Sequence, residues 1–301
     1  MSALKAALLG KALSHSISPT LHRELFKTLS QKILTPFDEC HYELVECNSS
    51  HAVSEWLMSA SSKGYAGANI TYPFKPDGFK LAERHIGVST FLQSANCLGF
   101  RSGIVEALST DGAGLLNSIR REYPTFDLNR YHLVLVGAGS AACAAVFSLC
   151  SGWMPRSLVI LDRTRSRAES LAEFCIAQAP GPSVSVSTAE EFRLAPPETR
   201  NRLIIQCTPV GQEGNPGGLL AGFEWSETDF AIDLIYNPLQ TSFLHAASLS
   251  GAKTMNGLGM LIEQAALSQV FWITGLLSDS SPLSQLEYDS LKSLLTNSLS
   301  I

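Results

Sequence analysis

No apolar run in this chain approaches the roughly 18 residues that a membrane-spanning helix requires, so an integral membrane protein is not expected. None of the seven cysteines (40, 47, 97, 143, 150, 175 and 207) forms a Cys-x-x-Cys pair, and their number is odd. Both facts argue against structural zinc and against a disulfide framework. Free thiols in a reducing compartment fit better. Basic residues are not in surplus: 22 Lys and Arg face 27 Asp and Glu, a net charge of −5. A general nucleic-acid binder would present a basic face, which this balance does not favour. Long polar or single-sign tracts are missing, as are internal repeats, which argues against disorder and solenoid architectures. The opening MSALKAALLGKALSHS has too short an apolar run for a secretory leader, and His15 and the serines interrupt it. The expectation is a cytoplasmic chain with no metal, membrane or nucleic-acid partner.

What is present is apolar material for two cores: 45% hydrophobic residues over 301 positions. Short β-branched runs at His132–Val136, 157–162, 183–187, 202–208 and 230–236 alternate with helical or loop segments. That alternation reads as a parallel, doubly wound sheet. The first third alternates too. Strands are expected at Ala6–Leu9, Tyr42–Glu46 and Ala68–Thr71, with helices from Pro19 to about Leu29 and over about 51–62. From Leu258 onward, Met260, Leu261, Gln264, Leu267, Phe271 and Trp272 recur at helical spacing. The N-terminal part is too small to bury its apolar faces unaided, so these C-terminal helices are expected to complete it. The resulting division is 1–110 plus 257–301 for one α/β domain and 111–256 for a Rossmann-type domain.

Gly137-x-Gly139-x-x-Ala142 follows a strand and opens a helix, the context a dinucleotide fingerprint requires. Gly137 permits the tight turn, Gly139 lets backbone approach a pyrophosphate, and Ala142 lets helix and strand pack closely. An ordinary glycine-rich turn is the plainer reading of the same residues. Asp162 closes the next strand, where an acid often binds ribose hydroxyls. Arg163, Arg165 and Arg167 follow it and favour a 2′-phosphate through charge-assisted bonds. Together these lean towards NADP and leave NAD open.

Four polar clusters interrupt the apolar segments elsewhere. His15–Pro19 (HSISP) places Ser16 and Ser18 ahead of a helix, where hydroxyls and backbone N–H groups suit a carboxylate. Ser18 reads equally well as a simple helix cap. Gly67–Lys75 (GANITYPFK) ends in a lysine that on its own reads as a surface residue. Ser94-Ala95-Asn96 is the third cluster. Ser109–Gly112 (STDG) is the fourth, and its Asp111 alone reads as a helix cap.

Taken in order, these clusters resemble the shikimate/quinate dehydrogenase family over nearly the whole chain. The matching positions are His15, Ser16, Ser18 and Pro19; Asn69, Thr71, Pro73 and Lys75; Ala95-Asn96; Thr110–Gly112; the glycine turn; Asp233, Tyr236, Asn237 and Pro238; and Gly257, Met260, Leu261 and Gln264. The resemblance implies hydride transfer between NAD(P) and a ring hydroxyl of a small acid of the shikimate type, in a monomer or homodimer. It implies Lys75 and Asp111 as the catalytic pair, Ser16 and Ser18 on the substrate carboxylate, and Thr71, Asn96 and Gln264 on ring hydroxyls, with Tyr236 between substrate and cofactor. For the cofactor it implies Gly137, Ala138, Gly139, Ser140, Ala141 and Ala142, then Asp162, Arg163, Thr164 and Arg167, then Thr208, Pro209, Val210, Leu234, Tyr236 and Gly257.

The chain departs from the family pattern in places. Cys97 follows Asn96 where threonine is usual, and Ser109 stands where asparagine is. Gln206–Gln212 (QCTPVGQ) replaces the commoner Asn-Ala-Thr-Ser-x-Gly-Met, and its Thr208-Pro209 looks more like quinate-type members. Asp162 replaces an asparagine typical of NADP-dependent members. Quinate or aminoshikimate is thus an alternative substrate. A ligand-sensing homologue without catalysis is a further one, disfavoured because Lys75 and Asp111 are both present.

Overall fold

The computed structural model describes residues 2–151, 153–178, 182–194 and 200–299. Of the C-terminal stretch, 300–301 lie outside the described residues. The chain divides into two compact units, Met1–Asn117 with Ile262–Ser298, and Ser118–Leu261 with Leu299–Ile301.

Unit 1 holds six strands: β1 (Ala3–Gly10), β2 (Glu39–Glu46), β3 (Tyr65–Ile70), β4 (Arg84–His85), β5 (Cys97–Arg101) and β6 (Ile104–Leu108). Its helices are α1 (Ser18–Leu29), α2 (Ser50–Ala60), α3 (Lys75–Leu81) and α4 (Ser89–Leu92), with the start of α5 (Asp111–Glu122) and most of α10 (Leu258–Thr274) and α11 (Gln285–Leu299). The sheet order is β2-β1-β3-β5-β6-β4. β1, β2 and β3 are mutually parallel, and β5 runs antiparallel to both β3 and β6.

β1 is buried on both sides, as its near-continuous apolar run demands. Ala7 and Leu9 pack with Ala68 and Ile70 against Val53 and Leu57 of α2. Leu4 and Ala6 face the other way, onto Phe26 of α1 and Phe271 and Trp272 of α10. Two glycines permit that close approach. A Cβ at Gly67 would stand 2.1 Å from Trp272 Nε1, and one at Gly99 would stand 2.5 Å from Phe271 Cε1. The Trp272 indole N–H donates to the Leu98 carbonyl at 2.8 Å, so this buried polar group is satisfied at the sheet surface.

Unit 2 holds β7 (His132–Val136), β8 (Ser157–Leu161), β9 (Ser183–Ser187), β10 (Arg202–Gln206), β11 (Phe230–Asp233) and β12 (Lys253–Met255), with α6 (Ser140–Cys150), α7 (Arg165–Gln178), α8 (Ala189–Leu194) and α9 (Ser242–Leu249). The sheet is wholly parallel, in the order β12-β11-β10-β7-β8-β9. Read from β9, this is the 3-2-1-4-5-6 order of a doubly wound dinucleotide-binding sheet, with its reversal between β7 and β10. The fold is therefore α/β, with a Rossmann-type sheet in one unit and a mixed sheet in the other.

Several elements differ from the sequence expectation. The strands expected at 202–208 and 230–236 stop at Gln206 and Asp233, because the residues beyond them turn back on themselves through side-chain bonds. The β5–β6 hairpin and the short α3 and α4 carry no clear periodicity. The hairpin turns through Ser102 and Gly103, both at positive φ (51° and 78°), as a two-residue connection of this hand requires.

At the base of β10, Arg202 and Asp229 form an almost fully buried ion pair, with Nε donating to Oδ1 at 3.0 Å. Asp229 also accepts the backbone N–H of Arg202 and of Ser226, and Arg202 donates to the Glu224 carbonyl. Removing one partner would strand a buried charge. Asp229→Ala is expected to lower stability by about 3–5 kcal/mol in urea unfolding. A loss under about 1 kcal/mol would show that the pair is expendable.

Candidate active site

The direction of β5 decides where the polar clusters meet. Parallel β1, β3 and β6 all deliver their C-terminal ends to one edge of the sheet, while antiparallel β5 delivers its beginning there. The register states this directly: Leu9 pairs with Ile70, Asn69 with Cys97, and Cys97 with Leu108. Residues 11–18, 71–75, 94–96 and 109–111 therefore emerge side by side, although they are scattered over a hundred positions of sequence.

At that edge Lys75, the first residue of α3, places Nζ 2.7 Å from Asp111 Oδ2, with side chains 17% and 9% exposed. Asp111 opens α5, so its carboxylate sits at a helix N-terminus, where negative charge is favoured. The other oxygen, Oδ1, accepts from Asn96 Nδ2 at 2.9 Å. The same amide nitrogen lies 2.9 Å from Thr110 Oγ1 and 3.1 Å from Gln264 Oε1. Asn96 Oδ1 accepts the Thr110 backbone N–H at 2.7 Å. One buried asparagine thus ties together the loop before β5, the start of α5 and α10.

Ser16 and Ser18 lie in the neighbouring turn after β1, with their hydroxyls 3.1 Å apart. Ser18 does not cap α1. It is the first helical residue, the residue before it is Ile17, and no side chain caps the helix. Instead, Ser16 Oγ accepts the Ser18 N–H at 3.3 Å. Thr71 follows β3, its N–H bonded to the Leu9 carbonyl at 2.9 Å, and its methyl fills the space a side chain at Gly10 would need. Tyr236 follows β11 in unit 2, whereas the other substrate candidates belong to unit 1.

In unit 2 the glycine turn occupies the carboxyl end of β7. Gly137 has φ +105°, a conformation that favours glycine, and a Cβ there would lie 2.8 Å from Thr208 Cγ2. Gly139 is the N-cap of α6 and carries no capping side chain, so the N–H groups of Ser140, Ala141 and Ala142 open the helix as an anion cradle. The Arg167 guanidinium comes within 3.7 Å of where a Gly139 Cβ would stand. A pyrophosphate fits such a backbone. Asp162 is committed inward: Oδ2 accepts the Ala138 N–H at 2.9 Å and Oδ1 the Thr164 N–H at 2.8 Å. Arg163, Thr164 and Arg167 are exposed around it, while Arg165 pairs with Glu169. A Gly257 Cβ would overlap the Leu234 carbonyl at 2.1 Å, which holds those two candidates together.

Gln206 carries a role that the sequence reading did not give it. Fully buried at the end of β10, its Nε2 donates to the carbonyls of Thr208 and Val210, and its Oε1 accepts the Thr208 N–H. It shapes the loop that lies against Gly137. The departure of this segment from the usual pattern was the available signal.

Burial sets the charge states around both sites. Desolvation lowers the His22 pKa to about 3, so this 1% exposed histidine is neutral beneath the substrate-side cluster. Desolvation pushes the Cys97 thiol, beside Asn96, up to about 12. Asp233 is raised to about 6 by burial, against the opposing pull of Thr241 and the Ile235 N–H. Among the described residues, no group of three or more His, Cys, Asp or Glu side chains could hold a metal ion.

A nucleotide-type sheet joined in one chain to a second α/β unit bearing a buried lysine–carboxylate pair defines the class: a dinucleotide-dependent oxidoreductase of two domains. Comparison with known proteins narrows it. Residues 8–98 match the shikimate dehydrogenase substrate binding domain. Shikimate dehydrogenase (NADP(+)) of Bacillus licheniformis is 30% identical over 268 residues, 88% of this chain and 90% of that protein. A crystal structure of a shikimate dehydrogenase with NADP+ superposes with TM-score 0.81 at 25% identity, covering 99% of this chain and 96% of that one. The shikimate 5-dehydrogenase of Thermus thermophilus, solved with NADP(H) and shikimate, gives 0.76 at 26% identity, covering 97% and 99%. The chain belongs to the shikimate dehydrogenase family.

The neutral His22 has a measurable consequence. Its pKa is depressed on folding, so it contributes no pH dependence above about 6.5 and costs stability as pH falls towards about 3. Between pH 7 and pH 5, wild-type should lose roughly 2 kcal/mol more stability than His22→Phe, at ~1.4 kcal/mol per unit. Urea melts at the two pH values check this; parallel losses would mean that His22 titrates normally.

Proposed function

We propose that this chain interconverts 3-dehydroshikimate and shikimate with NADP as hydride carrier, and that Lys75 and Asp111 are its catalytic pair. The observation that carries the reading is the 2.7 Å contact between Lys75 Nζ and Asp111 Oδ2 at an edge where four polar segments converge. The relatives' NADP-linked activity on shikimate supports the substrate and cofactor class. On this reading the protein is a cytoplasmic monomer or homodimer acting on small molecules. Among the described residues, no helix is long and apolar enough to cross a membrane.

The nicotinamide supplies or takes up the hydride, and the protein manages the proton. Lys75 Nζ, held by Asp111, donates a hydrogen bond or a proton to the reacting oxygen as it gains charge during reduction. In the reverse direction the pair draws that proton away. Asn96 has two amide hydrogens and three acceptors around it, Asp111, Thr110 and Gln264. A substrate hydroxyl that donates to one of them relieves this sharing, which is why a polyhydroxylated ring suits the place. Thr71 lies beside these groups, after β3. Ser16, Ser18 and the uncapped start of α1 take the carboxylate.

For the cofactor, Gly137 through Ala142 receive the pyrophosphate. Arg163, Thr164 and Arg167 take the 2′-phosphate, and Asp162 orders the turn through its two backbone bonds. Thr208, Pro209, Val210, Leu234, Tyr236 and Gly257 border the nicotinamide end.

Initial rates test the reading. Shikimate with NADP should give the highest kcat/KM, above quinate and above NAD. Lys75→Ala should lower kcat by about 10²–10⁴, with NADP affinity within about twofold. Near-wild-type turnover in that variant would overturn the catalytic assignment. Separately, Ser16→Ala and Ser18→Ala should each raise the KM for shikimate about tenfold or more, since each removes a bond to a charged group worth roughly 1.5–3 kcal/mol. An unchanged KM in both would move the carboxylate elsewhere.

A further inference from the structure

Behind the catalytic pair lies a second buried amide, Asn69 on β3, 5% exposed. Its Nδ2 donates to the Asn96 backbone carbonyl at 3.1 Å and to Ser268 Oγ on α10 at 3.1 Å. Its Oδ1 accepts the Tyr42 hydroxyl from β2 at 2.8 Å. Both hydrogens and the oxygen of this amide are therefore used. Ser268 in turn donates to the Gln264 carbonyl and lies 3.3 Å from Thr110 Oγ1. Asn69 thus touches, directly or through one hydroxyl, the supports of Asn96, Thr110 and Gln264, while contacting no reacting group.

The orientation of that amide is not free. Turned over, it would set its oxygen against the Asn96 carbonyl, two acceptors face to face. The Tyr42 hydroxyl is the donor that rewards the observed orientation. Tyr42 is itself pinned, stacked on His22 with ring centroids 4.0 Å apart and planes 8° from parallel. His22 is held in turn by Gln269, whose Nε2 donates to the His22 backbone carbonyl at 2.6 Å. The network runs from Tyr42, half-buried on the outermost strand, through the buried amides of Asn69 and Asn96 to Asp111, and each of these two amides has its oxygen and nitrogen bonded, the condition under which such a chain holds one geometry.

We propose that Asn69 is a positioning residue for the reaction: oriented by Tyr42, it fixes the Asn96 peptide and so aims Asn96 Nδ2 at the Asp111 carboxylate. The inference rests on Lys75 and Asp111 being the catalytic pair. It adds two residues, Asn69 and Tyr42, that act at a distance from the substrate.

The titratable groups facing this network are Tyr42 from β2, His22 from α1, Cys97 from β5, Lys75 from α3 and Asp111 from α5. His22, at about 3, and Cys97, at about 12, keep one charge state between about pH 5.5 and pH 8. That leaves a window in which an introduced acid can be read.

The experiment compares kcat, KM and folding, the last by circular dichroism, for Asn69→Leu, Asn69→Asp, Tyr42→Phe and Lys75→Ala. Asn69→Leu should lower kcat about tenfold or more, with KM for NADP within about twofold. Asn69→Asp should show a similar deficit at about pH 8, because a carboxylate cannot donate to the Asn96 carbonyl. Relative to wild-type, the deficit should narrow towards about pH 5.5, because burial at this 5% exposed position raises the new carboxyl above the usual aspartate range, so that it regains a proton to donate. Tyr42→Phe should lower kcat about threefold or more. If Asn69→Leu does not fold, the other two variants decide the question. Folded Asn69→Leu or Tyr42→Phe with wild-type kcat overturns the proposal, as does an Asn69→Asp deficit that ignores pH. Should Lys75→Ala itself keep wild-type turnover, the underlying catalytic reading fails instead, and the two failures are told apart.

Discussion

β5 runs against its neighbours, and the arrangement of the substrate unit follows from that one reversal. In a wholly parallel sheet, only residues after strand ends reach the carboxyl edge. With β5 antiparallel to β3 and β6, the residue before a strand also reaches it, and that residue is Asn96. The asparagine amide then stands beside the start of α5 and bonds both Thr110 and Asp111. Without the reversal, Asn96 would lie at the opposite edge, a strand's length away, and the lysine–carboxylate pair would lack its lateral support.

Burying charge at that edge is costly, and the surrounding groups offset the cost in distinct ways. Asp111 has a lysine on one oxygen, an amide on the other and a helix start behind it. His22, packed on Tyr42, is held neutral by burial and adds no positive charge to this network. In unit 2 the same economy takes another form. Asp162 spends both oxygens on backbone N–H groups, and Gln206 closes a loop with its own amide. In both units side chains shape backbone, and backbone or a neighbouring cation presents the chemistry.

The parts legible in the sequence are those with strong periodicity or fixed spacing. Buried parallel strands such as His132–Val136 announce themselves as apolar runs, and Gly137-x-Gly139-x-x-Ala142 stands out because a turn at φ +105° favours glycine. The β5–β6 hairpin was not legible. Its CLGFR strand contains Gly99, whose role is to admit Phe271, a contact set by residues far along the chain. Strand ends at Gln206 and Asp233 were overrun because the following residues are apolar or β-branched, and side-chain bonds turn them. Composition left Ser18 open as either a carboxylate ligand or a helix cap, and α1 starts one residue earlier than a capping serine would allow. Asn69 was visible within a motif, but its partners Tyr42 and Ser268 lie 27 and 199 residues away. No local pattern encodes such a meeting.

The two-residue turn at Ser102 and Gly103 has a kinetic side. Among the described strands, β5 and β6 are the pair joined by a hairpin; every other pairing closes over a longer crossover or detour. Loop-closure entropy is least for such a short connection, and hairpins form in microseconds while parallel pairings wait on distant segments. The stretch from Asn96 to Asp111 thus carries its own template: the zipper that sets Cys97 against Leu108 also brings the amide and the carboxylate to the same end. A nascent chain emerging no further than α5 would already contain every residue of that ribbon.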